Sequence, residues 1–177
     1  MKKSAIAAAI SLAALTYGLS AGADEEDLVR FKGGIGVIPV SAGVDPVTPP
    51  DANKNANVNR NVVRGVQPAG QIWRIDDLRA GVTVDGRITV DGRGLLLAGG
   101  NGIGTNANAS VFATLICEAA APFTERNTNL AGVPLEADGN FRIDDTLAPA
   151  PADCASPVLL IRTANGGRWF AAGIPKR

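Results

Sequence analysis

The sequence contains no histidine among its 177 residues, and this absence excludes several classes of enzyme. Neither a Ser-His-Asp triad nor a Cys-His nucleophile can be assembled, and no catalytic zinc can be bound by imidazole. No imidazole is available to transfer protons near neutral pH. The sequence also lacks the Gly-x-Ser-x-Gly motif of the α/β-hydrolases. The commonest hydrolase mechanisms are therefore excluded.

Long hydrophobic runs are also missing. The apolar stretch at residues 5–15 is shorter than the roughly 20 residues that cross a bilayer, and no second stretch of this kind follows. Lys2 and Lys3 precede it, and small residues end it at Ala23. This order predicts a bacterial signal peptide at residues 1–23, cleaved after Ala23. We therefore expect a periplasmic or extracellular protein without a transmembrane segment.

The chain has no excess of either charge, with 17 basic and 17 acidic residues. Removal of the signal peptide takes away Lys2 and Lys3, so the mature chain of 154 residues is slightly acidic. Its basic residues are scattered singly along the sequence. The sequence therefore shows no basic face, and we expect neither nucleic acid nor anionic lipid as a partner.

Cysteine is scarce, since only Cys117 and Cys154 occur. They do not form a Cys-x-x-Cys motif, and no histidine can complete a zinc site, so redox and metal roles are disfavoured. In an exported protein two cysteines are expected to form a disulfide, with two buried free thiols as the alternative. On the chain-entropy model this bridge would stabilise the fold by about 4 kcal/mol.

The N-terminal part of the mature chain differs from the rest. Residues 28–40 alternate in a way that predicts a strand, which Pro39 would confine to a sheet edge or end. Residues 41–61 are rich in proline and asparagine and predict a linker. We therefore divide the chain into a signal peptide (1–23), an N-terminal strand and linker (24–61), and a β-domain (62–177).

Alternating β-branched residues and Asp-Gly pairs predict strands and tight turns in the body of the chain. The pairs at 85–86 and 91–92 lie in one alternating stretch, so one of them is expected to be a bulge or bend. The pair at 138–139 is the clearest hairpin candidate. The composition of residues 110–118 favours a strand over a helix. At residues 76–80 we expect a helical turn.

These signals predict an all-β fold, a single antiparallel β-sandwich of immunoglobulin-like or jelly-roll-like kind with an N-terminal extension. Its core is expected to contain the inward residues of the strands, namely Val82, Val84, Ile88, Val90, Leu115, Leu159 and Ile161.

Aspartates at strand ends are the candidates for a cation site. Asp76 and Asp77 end one Arg-Ile-Asp-Asp segment, and Asp144 and Asp145 end another. If the two strand ends meet, these carboxylates could bind calcium together. Ordinary turn-forming aspartates are the competing and stronger interpretation. No cofactor is expected, and calcium is the alternative.

A glycine-rich loop is the candidate for backbone contact with a ligand. It contains Gly99, Gly100, Asn101, Gly102 and Gly104. The spacing fits neither the dinucleotide fingerprint nor the P-loop. A flexible connection between buried strands is the competing interpretation, although glycines do let a backbone approach a ligand closely.

Three segments carry a resemblance to other proteins: residues 31–41, 91–104 and 169–171. They resemble an uncharacterised family of exported bacterial β-rich proteins. The resemblance covers most of the mature chain, but the shared residues are glycine and apolar types. It implies no activity and assigns no functional residue.

Export and the lack of catalytic groups favour a non-enzymatic β-domain of the periplasm or cell surface. It would act as a structural, adhesive or ligand-binding component with a protein or glycan partner. One alternative is a secreted hydrolase that uses carboxylates or calcium. Another is a subunit of a polymer that self-associates by strand addition through residues 28–40, although pairing within the chain is favoured.

Overall fold

The computed structural model describes residues 26–38 and 61–176, which contain eleven β-strands and no helix. The predicted signal peptide and most of the predicted linker lie outside these residues. The strands are β1 (Asp27–Gly36), β2 (Trp73–Arg74), β3 (Asp77–Thr83), β4 (Arg87–Arg93), β5 (Leu96–Leu97), β6 (Ser110–Ile116), β7 (Arg126–Asn127), β8 (Val133–Pro134), β9 (Phe141–Thr146), β10 (Val158–Thr163) and β11 (Trp169–Lys176).

Nine of these strands form one antiparallel sheet in the order β7-β6-β10-β11-β1-β3-β4-β9, with β8 also paired to β6. The remaining two, β2 and β5, form a small separate sheet. The all-β antiparallel prediction is confirmed. The immunoglobulin-like or jelly-roll-like sandwich is not confirmed, because one continuous sheet contains all the long strands and curls nearly into a barrel.

The two ends of the large sheet meet at a short seam. Asn127 of β7 and Ala148, just beyond β9, exchange two backbone hydrogen bonds of 3.0 and 2.9 Å. The backbone N–H of Asn129 donates to the Asp145 carboxylate at 2.7 Å in the same region. These contacts satisfy backbone groups that would otherwise be left at the sheet edges.

The N-terminal strand is a central strand of this sheet. β1 pairs with β3 on one side and with β11 on the other, so neither of its edges is free. The expectation of an edge strand is therefore wrong. The strand ends at Gly36, and Pro39 lies outside the described residues. Within this chain, β1 belongs to the same sheet as the strands that follow residue 61.

Alternation along the strands places the core inside the curled sheet. Six of the seven predicted core residues are fully buried, and the exception is Val84, which is 43% exposed. Val84 lies beyond the end of β3 in the turn to β4, where alternation no longer determines the direction of the side chain. β6 is buried along nearly its whole length on both faces, and Thr114 is its one fully buried polar residue.

Two of the three Asp-Gly pairs form turns. The pair at 85–86 connects β3 and β4, with Gly86 at φ +89°, as predicted. The pair at 91–92 lies inside β4, where the Phe141 ring occupies the space a side chain at Gly92 would need. The pair at 138–139 forms a turn closed by a 2.8 Å bond from Gly139 N–H to the Glu136 carbonyl.

Two local predictions need correction. The strands on either side of the 138–139 turn do not pair with each other, since β8 pairs with β6 and β9 pairs with β4. The interpretation of residues 76–80 as a helical turn is wrong, because they enter β3. In both cases partners distant in sequence determine the structure.

A disulfide and an arginine hold the chain in place after β6. Cys117 and Cys154 form the predicted disulfide, with their Cα atoms 4.4 Å apart. Arg64 donates to the backbone carbonyls of Ile116 at 3.0 Å and Ser156 at 2.6 Å. Both sets of contacts join the end of β6 to the segment that leads into β10.

Candidate functional site

A groove of about 730 Å³ has two stacked aromatic rings at its floor. The rings of Trp73 and Phe170 lie 3.9 Å apart between centroids and 12° from parallel. The volume falls within the roughly 300–1,000 Å³ typical of small-molecule sites. The groove is therefore the first candidate for ligand binding.

The chain just after β1 brings the two rings together. Val37 donates its backbone N–H to the Phe170 carbonyl at 3.0 Å, and its own carbonyl accepts from the Trp73 N–H at 3.0 Å. A side chain at Gly36 would collide with the Trp73 backbone, so only glycine permits this close approach. The floor of the groove thus depends on the contact between β1, β2 and β11.

Polar side chains from separate loops surround this floor. They are the amides of Gln71, Asn108 and Asn165, the hydroxyl of Ser110 and the guanidinium of Arg168. Arg168 also donates to the Pro68 carbonyl at 3.4 Å, which holds its side chain toward the segment that forms one wall. Amides and hydroxyls both donate and accept hydrogen bonds, so the rim can match a ligand rich in hydroxyl groups.

The loop that carries Asn108 is held in an unfavourable conformation. Ala107 and Asn108 both have positive φ angles, +52° and +50°. The left-handed region costs roughly 1–2 kcal/mol for an ordinary L-residue such as alanine. Asn106 maintains the conformation, because its amide donates to the Leu135 and Glu136 carbonyls at 3.0 Å each. Its side-chain oxygen accepts from the Asn108 N–H at 3.0 Å.

The groove offers binding groups and no acid–base pair. No carboxylate is among the residues that line it, and its one charged side chain is Arg168. The pKa of Asp85 is lowered by the Thr83 hydroxyl, and hydrogen bonding to Arg126 lowers the pKa of Glu118 to about 2. Both carboxyl groups lie outside the groove. General acid–base catalysis there would require a proton-transfer group that the lining does not contain.

The four aspartates predicted to share a cation are not brought together. Asp77 lies opposite Arg93 at one end of β4, whereas Asp144 lies opposite Thr89 on the far side of that strand. Two strand spacings and four residues along the strands separate them by roughly 17 Å. The predicted shared site therefore has no common centre.

Each of the four carboxylates has a neighbour within the protein. Asp76 pairs with Arg74, Asp77 with Arg79 at 3.2 Å, and Asp144 with Arg87 at 3.8 Å. Asp145 accepts the hydrogen bond at the seam. In residues 26–38 and 61–176, no group of three or more potential metal-ligating side chains occurs.

The predicted ligand loop lies next to the groove without lining it. Gly104 donates to the Leu97 carbonyl at 2.8 Å, and Ile103 donates to the Gly100 carbonyl at 3.2 Å. Internal hydrogen bonds thus occupy backbone donors that a ligand would need. Among the lining residues of the groove, Leu97 precedes this loop, and none of Gly99, Gly100, Asn101, Gly102 and Gly104 is included.

The residues of the groove were missed in the sequence because they come from separate segments. Trp73 is 3% exposed and precedes β3, whereas Asn165 lies in the turn between β10 and β11. Positive φ at two consecutive residues that are not glycine has no reliable signature in a single sequence.

Comparisons of the chain with protein-family models, curated proteins and solved structures find no match. Within the part of the chain that the structure describes, no helix is sufficiently long and apolar to span a membrane. The function is therefore inferred from the residues themselves.

Proposed function

We propose that the protein is an exported, non-enzymatic binding domain that holds a short oligosaccharide in the groove above Trp73 and Phe170. The observation that carries this proposal is the combination of an apolar aromatic floor with a rim of neutral amide and hydroxyl groups. Sugars present apolar C–H surfaces and many hydroxyl groups, so both parts of the groove have a counterpart on such a ligand.

The charges of the groove support a neutral or weakly anionic ligand. Arg168 is the one ionised side chain in the lining, and no carboxylate is present to attract a cation. An apolar ligand is disfavoured, because it would remove water from Asn108, Asn165 and Ser110 without replacing their hydrogen bonds. A glycan partner fits these constraints better than a lipid chain.

Export supports a role outside the cytoplasm. The predicted signal peptide and the disulfide between Cys117 and Cys154 both suit an oxidising compartment. The proposed location is the periplasm or the cell surface.

Two alternatives receive less support. A carboxylate-dependent hydrolase would need two carboxyl groups facing a cleft, and the groove lining contains none. Polymerisation by strand addition would require β1 to leave both β3 and β11, because each of its edges is already paired.

Calorimetric titration of the mature protein with a panel of neutral oligosaccharides tests the proposal. Asn108→Ala and Asn165→Ala should each weaken binding about tenfold, which corresponds to the loss of one or two hydrogen bonds. Asn101→Ala is the matched control, because Asn101 lies on the adjacent glycine-rich loop outside the groove. Equal weakening by all three substitutions, or no binding by any oligosaccharide of the panel, would refute the proposal.

A further inference from the structure

Four basic residues meet on the outer face of the sheet, at the junction of β11, β1 and β3. Arg30 lies directly opposite Lys176, and Lys32 lies directly opposite Arg79. These four side chains, here called the basic cluster, surround a surface depression of about 550 Å³. Gly81 lies at the bottom of this depression, where its lack of a side chain leaves room. No basic face is visible in the sequence, because Arg79 and Lys176 are far from Arg30 and Lys32 in the chain.

The basic cluster is an unfavourable arrangement for the sheet alone. Like charges directly opposite each other on one face destabilise paired strands, whereas opposite charges stabilise them. Arg30 pairs with Asp27 and Arg79 pairs with Asp77 at exposed positions. Among the described residues, no ion pair involves Lys32 or Lys176. A bound anion would convert this repulsion into attraction.

One carboxylate also lines the depression and must be included in its charge. Asp91 lies opposite both Arg79 and Arg142, and its carboxylate is 3.2 Å from the Arg142 guanidinium. The partner Arg142 therefore offsets this negative charge. With Arg142 counted as a fifth cation, and with Asp27 and Asp77 counted beside Asp91, five cations face three carboxylates and leave a net positive surface.

Exposed apolar side chains lie beside the basic cluster. Ile174 precedes Lys176 by two residues on β11, so the two side chains share the outer face, and Ile174 is 43% exposed. Ile35 of β1 is 52% exposed. Phe31 is the one aromatic residue at the depression, and it is buried in the core. Stacking of nucleic-acid bases therefore has no platform here.

We propose that the basic cluster binds the phosphate groups of anionic phospholipids and docks the domain on a lipid surface, with Ile174 and Ile35 entering the interface. The cluster spans two strand spacings and two residues along the strands, roughly 10 by 7 Å, which matches one or two headgroups better than a long polyanion. Cations flanked by exposed apolar side chains suit the boundary between headgroups and acyl chains. This proposal does not depend on oligosaccharide binding, since the groove uses different residues.

Sedimentation of the mature protein with lipid vesicles tests the proposal. The protein should bind vesicles that contain phosphatidylglycerol. It should not bind vesicles made only of phosphatidylcholine. The double substitution Lys32→Gln and Lys176→Gln should weaken binding about 30-fold, at about a fivefold loss per basic residue near the surface. Added salt should also weaken it, because exposed charges are screened.

Matched variants separate the lipid surface from a soluble phosphate ligand. Ile174→Ser should weaken vesicle binding several-fold without changing the affinity for inorganic pyrophosphate. Arg74→Gln removes an exposed cation outside the cluster, and Ile103→Ser removes an exposed isoleucine from the glycine-rich loop, so both should bind vesicles normally. Pyrophosphate binding without vesicle binding, unchanged vesicle binding in the double variant or in Ile174→Ser, or equal binding to both lipid compositions would overturn the proposal.

Discussion

Lys32 lies directly opposite Arg79 across the ladder between β1 and β3, so two cations are neighbours in the middle of a sheet. Stability alone would favour an acidic residue at one of these positions. The arrangement is repeated one pair along β1, where Arg30 faces Lys176. The proposed binding of anionic phospholipids would account for two adjacent like-charge pairs on this surface.

Replacement of Lys32 should therefore stabilise the protein. Lys32→Glu converts the repulsion with Arg79 into a cross-strand ion pair and should raise the free energy of unfolding by about 0.5–1 kcal/mol. Lys32→Gln removes only the repulsion and should give a smaller increase. Urea denaturation measures both, and a loss of stability in Lys32→Glu would contradict the argument from charge repulsion.

Loss of the disulfide should lower the stability of the protein substantially. The bridge closes a loop with a sequence separation of 37 residues. The chain-entropy model predicts that the double substitution Cys117→Ala and Cys154→Ala lowers the free energy of unfolding by about 4 kcal/mol. Denaturation of the oxidised and substituted proteins measures this, and a loss below about 1 kcal/mol would show that the loop is already ordered in the unfolded chain.

Glu118 should make stability depend on pH in the acid range. It accepts hydrogen bonds from the Arg126 guanidinium at 2.9 Å and from the Thr124 N–H at 3.2 Å, which join the two ends of the loop after β6. Hydrogen bonding to Arg126 lowers its pKa from 4.5 to about 2 in the folded protein. A depressed folded-state pKa gives stability that is present above the unfolded-state value and is lost as the pH falls.

The stabilisation from Glu118 should therefore disappear between about pH 4.5 and pH 2. Glu118→Gln lacks the titrating group, so its stability should decline less over this range than that of the unsubstituted protein. Thermal unfolding at a series of pH values measures the difference. Parallel curves for the two proteins would contradict the role of Glu118.

Two glycines with the same backbone angle should respond differently to alanine. Gly139 has φ +81° and Gly166 has φ +82°. A methyl group at Gly139 would lie 2.6 Å from the Leu95 backbone, whereas the space around Gly166 is open. Gly166→Ala should cost roughly 1–2 kcal/mol of stability through the left-handed backbone alone.

Gly139→Ala adds a collision with the Leu95 backbone, which should lower the free energy of unfolding by a further amount of about 1–3 kcal/mol. The pair of variants separates backbone conformation from steric overlap, and denaturant unfolding provides the measurement. Equal losses at the two positions would show that the β4–β5 connection moves to accommodate the methyl group.

The sequence predicted the local features of this fold well. Alternation identified the strands around Ile88 and Leu159, and an Asp-Gly pair identified the turn at Gly86. The presence of only two cysteines identified the bridge between them. These features depend on neighbouring residues or on a choice between very few partners. The closure of the sheet depends instead on the contact between Asn127 and Ala148, which no local pattern encodes.

Local sequence patterns could not predict the candidate sites either, because these sites also depend on contacts between distant segments. Asp77 and Asp144 appeared equivalent in two similar segments, but the register of β3, β4 and β9 places them far apart. Conversely, Lys32 and Arg79 appeared to be isolated charges, and the register makes them neighbours. Strand pairing between distant segments determines which side chains meet, and it follows from the whole core rather than from any one motif.

Nuclear magnetic resonance of the labelled mature protein, titrated with neutral oligosaccharides, is the sharpest test of sugar binding in the groove. Binding there should give saturable shifts of the Asn108, Ser110, Asn165 and Arg168 amides and of the Trp73 indole, with Gly102 and Asp144 unaffected. Saturable shifts centred on Asp144 or on the glycine-rich loop, or no shift with any oligosaccharide, would contradict it.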